Sequence, residues 1–359
     1  MRLILSVLFM SFFFISYSQK SGNNEVWVEG RFKAGFLAAH RSSIGHLAVE
    51  HAYAGELSYL VQTKGQRAWH GHYRNPTLGV TAFFGTAGNR ELLGHYFGGY
   101  AFINLPILKK KAYTLSFKSS AGLGYGTKVY DPENNILSIA LSTKLNALLV
   151  FALESRIHVG NHSATLSLDM THFSNGAIKV PNLGLNLPFL SAGYGYRIQE
   201  STYCDTCLVA GLGYKSLEFG AIVFGSAQEL FPTGGPKMPV IGLNFVARKY
   251  FSRRTGMEVS FDIMSKQSIM NFHPEVEKTQ GEIIQLGVFA GYLVPMGRYQ
   301  MVIGMGAYVR DKFKPEDALY HRVGMRYVFY NGINLNLVLK SHWARADYVE
   351  YGIGYTFNR

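Results

Sequence analysis

The fold is decided by one stretch of unbroken alternation, Met257-Glu258-Val259-Ser260-Phe261-Asp262-Ile263. Its apolar residues all fall on one side of an extended chain, and its polar residues all fall on the other. A period of two in hydrophobicity predicts a β-strand with one apolar face and one polar face. The strand therefore needs an apolar partner on one side only.

The same alternation recurs along the chain, and the strands that it predicts are long. Further examples are residues 139–149, 333–340 and 349–357. Strands of about 10 residues exceed the roughly 5 or 6 that are usual in sandwiches and match the length that crosses a bilayer at a tilt. We therefore expect an all-β protein that forms a transmembrane antiparallel up-and-down β-barrel. The aromatic last strand resembles the assembly signal of bacterial outer-membrane barrels, which implies the barrel assembly machinery as a partner during biogenesis.

Composition and the N-terminus favour the same class of protein. The chain has 39 Gly, 25 Phe and 23 Tyr residues, with only 16% charged residues, and its mean hydropathy is +0.04, as expected where alternate residues face lipid and lumen. The N-terminus predicts a signal peptide over 1–18, because Arg2 precedes an apolar run over 3–15 and small residues come before Gln19. No later apolar run reaches the roughly 18 residues of a helical span. We expect export to the bacterial outer membrane and insertion there as strands.

The patterns predict about 14 to 16 strands in one barrel over residues 19–359, since bacterial barrels favour even numbers. We divide this barrel into a half over 25–199 and a half of additional strands over 200–359. With the first strand running outward, most short turns face the periplasm and most long loops face outside. Residues 64–76 are the exception, because this long segment falls on the periplasmic side. The turns are Pro295-Met296-Gly297-Arg298 and Asn331-Gly332, and the outer loops are 265–282 and 311–318.

One predicted strand carries polar residues on its lipid side. Its apolar face ends at Met170, and the same parity continues to His172 and Ser174, whereas Asp169 lies on the opposite face. Side chains two apart on a strand share a face with about 7 Å of rise, so a serine and a histidine can lean together. Polar groups on a lipid face are costly and indicate a function.

The segment Thr171-His172-Phe173-Ser174-Asn175-Gly176, followed by Pro181-Asn182-Leu183-Gly184-Leu185-Asn186, resembles the bacterial outer-membrane lipid A 3-O-deacylases. It is close to that family's His-x-Ser-Asn and Pro-Asn-x-Gly pattern over about sixteen residues. A looser resemblance extends over 25–199, and the second half has no counterpart in the small members of the family.

The resemblance implies a serine esterase on the outer surface of the barrel wall. Ser174 would be the nucleophile and His172 its general base. The amide of Asn175 or Asn182, with the Gly176 N–H, would form the oxyanion hole. Asn186 occupies the position of the family's triad carboxylate, and it can orient the imidazole but cannot stabilise imidazolium by charge.

The implied substrate is lipid A or another glycolipid or phospholipid of the outer leaflet, and no cofactor is implied. The formal net charge is +12, which we attribute to lumen and loop charges near phosphorylated lipids rather than to a nucleic-acid partner. A homodimer is compatible with the sequence.

Three other motifs are better explained by a structural role than by a catalytic or binding role. Cys204 and Cys207 predict a local disulfide at a turn of an exported protein rather than a redox or zinc site. His70 and His72 lack an evident third ligand, so we predict no metal. The lysines at 109–111 predict a solvated turn.

Two other classes of function remain open. Sixteen strands enclose a lumen wide enough for a porin-like channel, and lumen-facing Lys144, Arg248, Arg326 and Lys340 would favour anions. A structural or adhesive barrel without catalysis is the other class. Replacement of Ser174 separates both from an esterase, because only hydrolysis requires the serine.

Overall fold

The computed structural model describes residues 24–202, 217–230, 232–343 and 345–357, and these form sixteen antiparallel strands. The predicted signal peptide over 1–18 and the predicted disulfide between Cys204 and Cys207 lie outside the described residues. The strands are β1 Glu25–Phe36, β2 His51–Gln62, β3 Thr77–Thr86, β4 His95–Lys109, β5 Tyr113–Gly126, β6 Leu145–Val159, β7 His162–Ser174, β8 Leu185–Gln199, β9 Leu217–Glu229, β10 Lys237–Tyr250, β11 Gly256–Lys266, β12 Ile284–Met296, β13 Tyr299–Arg310, β14 Leu319–Val328, β15 Ile333–His342 and β16 Arg345–Thr356.

The strands close into two barrels of eight, the first from β1 to β8 and the second from β9 to β16. The prediction of an all-β antiparallel barrel protein with about sixteen strands is confirmed, but the prediction of a single barrel is wrong. The physical reason lies in β8, which pairs back onto β1 from Phe189 to Gln199 and so has no free edge for β9. Strand β16 pairs with β9 in the same way, with Tyr351 opposite Gly225.

The alternation of faces is as predicted over most of the strands. On β7 the outward Leu166 and Leu168 are 56% and 63% exposed, whereas Ser167 between them is buried. An exposed apolar wall around a polar interior is the pattern of a barrel that spans a membrane. The predicted strand over 139–149 is partly wrong, because β6 begins only at Leu145 and residues 139–144 form a loop.

The interior of each barrel is filled by buried ion pairs. In the first barrel, Lys33 Nζ lies 2.9 Å from Glu56 Oε1 and 2.8 Å from Asp169 Oδ1. In the second barrel, Arg326 lies 2.6 Å from Glu258. Eight strands leave an interior that side chains can fill, which removes the wide lumen that a barrel of sixteen strands would enclose. Of the predicted lumen cations, Arg248, Arg326 and Lys340 are buried inside the second barrel, but Lys144 is exposed on a loop.

The loops contain little helix. A one-turn α-helix, α1, covers Ala68–His72, and short 3-10 helices cover Ser42–Leu47 and Gln267–Asn271. Among the described residues, no helix is long and apolar enough to cross a membrane. The loops predicted at 265–282 and 311–318 and the turns at 109–111 and 331–332 connect strands as expected.

The exceptional segment 64–76 connects β2 to β3 and reaches the second barrel. The hydroxyl oxygen of Tyr73 lies 2.9 Å from the carbonyl oxygen of Pro295 and 3.2 Å from that of Arg254, so its one proton can be donated to either. Both acceptors lie at hairpin turns of the second barrel, where β12 and β10 end. The length of this segment therefore has a structural reason, which is contact between the two barrels.

Candidate active site

His172 and Ser174 lie at the C-terminal end of β7, on its outward-facing parity. Both are half-buried, while Phe173 between them is fully buried in the first barrel. Asp169 also points inward, where it pairs with Lys33 at 2.8 Å. The predicted parity of this strand is therefore confirmed, and Asp169 is not available as a partner for His172.

The imidazole of His172 is held by Asn186 across the hairpin of β7 and β8. The two residues are direct cross-strand partners, and His172 Nδ1 lies 2.6 Å from Asn186 Oδ1. The amide Nδ2 of Asn186 in turn lies 3.0 Å from Nδ1 of His40. Because Asn186 turns its oxygen to His172 and its nitrogen to His40, Nδ1 of His172 acts as the donor and Nε2 is the unprotonated acceptor.

The hydroxyl oxygen of Ser174 accepts hydrogen bonds from two donors, and its own O–H donates to Asn182 Oδ1 at 3.4 Å. Asn182 Nδ2 lies 3.0 Å from Ser174 Oγ, and the backbone N–H of Gly176 donates to the same oxygen at 3.2 Å. Among the described residues, no hydrogen bond joins Ser174 Oγ to His172. Hydrogen bonds between catalytic groups are often longer in unliganded sites than in complexes with substrate.

The segment 175–184, which we call the site loop, has a backbone that favours glycine at two positions. Gly176 and Gly184 have φ angles of +66° and +75°, and these lie in the left-handed region. A Cβ atom at Gly184 would lie 3.0 Å from His172 Cε1, so the absence of a side chain there also makes room for the imidazole. Val180-Pro181 is a cis peptide bond.

Asn175 braces the site loop rather than the serine. Its side-chain Nδ2 donates to the carbonyl of Lys179 at 2.9 Å and lies 3.3 Å from Ser142 Oγ. Its backbone N–H donates to Asn182 Oδ1 at 3.1 Å. Of the two amides predicted for an oxyanion hole, the structure therefore brings only that of Asn182 to Ser174.

A second loop, 139–144, packs against the site loop at the end of the first barrel. Leu141 forms a β-bridge with Asn182, and the N–H of Gly184 donates to Ala140 O at 2.9 Å. The alternation of residues 139–144 predicts a strand, which is wrong, and no pattern in the sequence points to His40. His40 follows β1 in the chain and reaches Asn186 only because the barrel closes between β1 and β8.

The two histidines of α1 have separate partners. His70 is buried and its Nδ1 lies 3.2 Å from Gln66 Oε1, whereas His72 contacts Arg253 of the second barrel. Burial, together with Arg67, lowers the pKa of His70 to about 4. In the part of the chain that the structure describes, no three His, Cys, Asp or Glu side chains converge as metal ligands would.

The arrangement at the end of β7 is suited to nucleophilic chemistry. It combines a hydroxyl, an imidazole oriented through Nδ1, and two N–H donors that converge on the hydroxyl oxygen. A base that can accept the serine proton and donors that can stabilise an oxyanion are the elements of acyl transfer. The outward parity would present this chemistry to molecules on the outside of the wall.

Two family models match the sequence. Residues 53–197 match the lipid A 3-O-deacylase family (PagL), and residues 208–359 match the C-terminal domain of acyloxyacyl hydrolase. The second half of the chain thus also has a counterpart in a known family, which the resemblance to small members alone did not reveal. The division between the two matches coincides with the division between the two barrels.

No curated protein matches the chain. Among solved structures, the chain is similar to Neisserial surface protein A at 8% identity and a TM-score of 0.34, over 50% of this chain and 100% of that one. It is also similar to a triple mutant of the Rhodopseudomonas blastica porin at 8% identity and a TM-score of 0.18, over 92% of this chain and 99% of that one.

Proposed function

Since the chain belongs to the lipid A 3-O-deacylase family, we propose that it removes a fatty-acyl chain from lipid A of the bacterial outer membrane by hydrolysing the 3-O-ester. The observation that carries this proposal is the convergence of His172, Ser174, Asn182 and Asn186 at one end of β7. These residues come from the segment that resembles the family, and His172 and Ser174 lie on the outward-facing parity of β7.

In this mechanism Ser174 Oγ attacks the ester carbonyl carbon, and His172 Nε2 takes the hydroxyl proton. The acyl–oxygen bond of the ester breaks, and His172 returns the proton to the departing alkoxide of the sugar. A water molecule then hydrolyses the acyl-enzyme, with His172 again acting as the base. Asn186 keeps the ring oriented through both steps.

Charge that develops on the carbonyl oxygen needs donors that are already in place. The N–H of Gly176 and the Nδ2 of Asn182 now bind Ser174 Oγ. When Oγ turns toward His172, these two donors are free to bind the oxyanion of the tetrahedral intermediate. Removal of one such donor typically lowers kcat by about 10² to 10³.

A location in the membrane supports the choice of a lipid substrate. Farther along β7 and β8 from the site, the outer wall exposes Leu168 and Leu190, so acyl chains can extend along an apolar surface that leads to the serine. An ester at the level of the headgroups would lie at the end of the barrel, where β7 terminates. We place this end at the outer leaflet.

The channel alternative has less support. Each barrel has eight strands, and three of the four cations that were expected to line a lumen are paired with buried carboxylates, namely Arg248, Arg326 and Lys340. The fourth, Lys144, lies on a loop. A pore would require an open path through these buried ion pairs. The adhesive alternative is not favoured by any particular surface of the described residues.

The test is mass spectrometry of outer-membrane lipids from cells that express the wild type or Ser174→Ala at matched levels. We expect lipid A to lose one hydroxyacyl chain with the wild type only. Ser155→Ala is the control, because Ser155 lies on the same barrel but eight residues along β6 from Ala147, the partner of Ser174. Identical lipid profiles for wild type and Ser174→Ala, with both proteins folded, would overturn the proposed function.

A further inference from the structure

We propose that the second barrel holds the site loop of the first barrel in its working conformation, and that Glu229 is the positioning residue through which it does so. This inference rests on the proposed function. It assigns a role in the reaction to the half of the chain that carries none of the predicted catalytic residues. Two contacts between the barrels support it, and both involve the site loop.

The first contact is a hydrogen bond between the site loop and the end of β9. The backbone N–H of Val180 donates to Glu229 Oε2 at 2.6 Å. The other carboxylate oxygen, Oε1, accepts the N–H of Gly234 at 3.0 Å, from the turn that follows β9. Glu229 therefore ties the site loop of one barrel to a turn of the other.

The burial of Glu229 makes this contact specific. Its side chain is 6% exposed, and a buried carboxylate is costly unless hydrogen bonds stabilise its charge. Among the described residues, its recorded partners are the two backbone N–H groups of Val180 and Gly234. Hydrogen bonds with an ionised acceptor are roughly twice as strong as neutral ones, so the carboxylate restrains both segments that it joins.

The second contact is steric and lies closer to the serine. A Cβ atom at Gly176 would lie 2.7 Å from Val349 Cγ2 on β16. The backbone of the site loop therefore packs directly against the wall of the second barrel, where an apolar side chain limits its movement. Because Gly176 N–H donates to Ser174 Oγ, this contact acts on a group that we place in the oxyanion hole.

Together the contacts restrain both ends of residues 176–180, which lie between Ser174 and Asn182. This segment carries the N–H of Gly176 and leads to Nδ2 of Asn182, which are the two proposed oxyanion donors. Its position therefore sets the distance from these donors to the carbonyl oxygen of the substrate ester. Misplacement of such groups by about 1 Å can cost 10²-fold in rate. Through these contacts the second barrel becomes part of the geometry of the site.

The test uses the full-length protein folded in detergent micelles that contain purified lipid A. We expect Glu229→Ala to lower kcat by about 10- to 100-fold with little change in KM, because the loop positions donors that act on the transition state rather than on the bound lipid. Glu229→Gln should recover part of the loss, since its single amide oxygen can still accept the Val180 N–H.

The matched control is Glu282→Ala. Glu282 also accepts a backbone N–H, from Thr279 at 3.0 Å, and its partners among the described residues, Thr279 and Lys312, belong to the second barrel. Its loss should leave kcat unchanged. For every variant, the folded fraction is measured by the shift in gel mobility on heating, and kcat is calculated per folded molecule.

The outcomes separate this inference from the proposed function. If Ser174→Ala is inactive but Glu229→Ala keeps wild-type kcat per folded molecule, the positioning role is wrong and the esterase remains. A Glu229→Gln variant as impaired as Glu229→Ala, or an equal loss in Glu282→Ala, would also overturn the positioning role. If Ser174→Ala is as active as the wild type, the proposed function is wrong, and the positioning role is wrong with it.

Discussion

His172 and Asn186 are direct partners across the hairpin of β7 and β8, with Nδ1 of the histidine 2.6 Å from Oδ1 of the asparagine. The amide is fixed in this orientation because its nitrogen lies 3.0 Å from Nδ1 of His40. A neutral acceptor thus orients the imidazole at the position where the family resemblance implies a carboxylate. Asn186 preserves the orientation of the His172 ring, but it stabilises the imidazolium form less than a carboxylate would.

The first prediction follows from this neutral acceptor. Asn186→Asp should raise kcat for lipid A deacylation by about tenfold, because a hydrogen bond to a charged group contributes roughly 1 to 1.5 kcal/mol more than a neutral one, and 1.36 kcal/mol is tenfold in rate. Asn186→Ala should lower kcat, since the ring then loses its orientation. Both are measured by the release of hydroxyacyl chains. A fall in kcat with Asn186→Asp would show that the amide is required by His40.

The second prediction concerns the side chain that reaches Ser174 from the site loop. Asn182→Asp keeps an oxygen for the N–H of Asn175 but loses the donor to Ser174 Oγ. We expect kcat to fall by about 10² to 10³, the usual effect of losing one oxyanion donor. Asn161→Asp, at the turn between β6 and β7, is the control for the same chemical change far from the site. Wild-type kcat in Asn182→Asp would remove Asn182 from the oxyanion hole.

The third prediction separates backbone strain from a steric effect on the imidazole. Gly184 and Gly160 have φ angles of +75° and +59°, so alanine costs about 1 to 2 kcal/mol of folding free energy at either position. A Cβ at Gly184 meets His172 Cε1 at 3.0 Å, but one at Gly160 meets no atom within 4 Å.

The free energy of unfolding in urea should therefore fall by a similar amount in both variants. Only Gly184→Ala should lower kcat, by about tenfold or more, because a small displacement of the His172 imidazole slows the reaction. Urea titrations and kcat per folded molecule measure the two effects separately. An equal loss of activity in Gly160→Ala would assign the effect to strain alone.

The local part of the site could be predicted because it lies within one hairpin. His172, Ser174 and Asn182 are close in sequence, and the parity of β7 could be counted from alternating residues. His40 could not be found, since it is 146 residues from Asn186 and approaches it only through closure of the barrel. Long-range closure leaves no local pattern in a sequence.

The same limit explains the wrong number of barrels. Alternation fixes which residues of a strand face lipid, as it did for Phe261 and Asp262, but it is identical in one barrel of sixteen strands and in two of eight. The pairing of Gly30 with Tyr194 decides between them, and it depends on hydrogen bonds between strands that are far apart in the chain. Residues 139–144 were misassigned because alternation also occurs in a loop that packs on a barrel end.

The fourth prediction tests whether either barrel conducts ions. The buried pairing of Arg326 and Arg248 with Glu258 fills the second barrel, and small barrels of eight strands have room for side chains only. Purified protein in planar bilayers should show no sustained conductance steps above those of the bare bilayer, whereas a porin of sixteen strands in the same setup should show them. Stable steps that disappear with a change at Arg326 would restore the channel hypothesis.

The fifth prediction concerns the lysine that links the site strand to its neighbours inside the first barrel. Lys33 Nζ contacts Glu56 and Asp169 and lies 3.1 Å from Thr171 Oγ1, next to His172 in the chain. Lys33→Met should lower the free energy of unfolding by about 3 to 5 kcal/mol, because it leaves buried carboxylates without their cation. The measurement is urea unfolding in micelles, followed by tryptophan fluorescence.

Lys111→Met, which removes an exposed charge at the turn between β4 and β5, is the control and should change the free energy of unfolding by no more than about 0.5 kcal/mol. Lys33→Met should also lower kcat per folded molecule less than Asn182→Asp does, because Lys33 supports β7 from the inside without touching the serine. If Lys33→Met is as stable as the wild type, the interior network does not hold β7 in place, and the rigidity of the site must come from the site loop and its contacts with the second barrel.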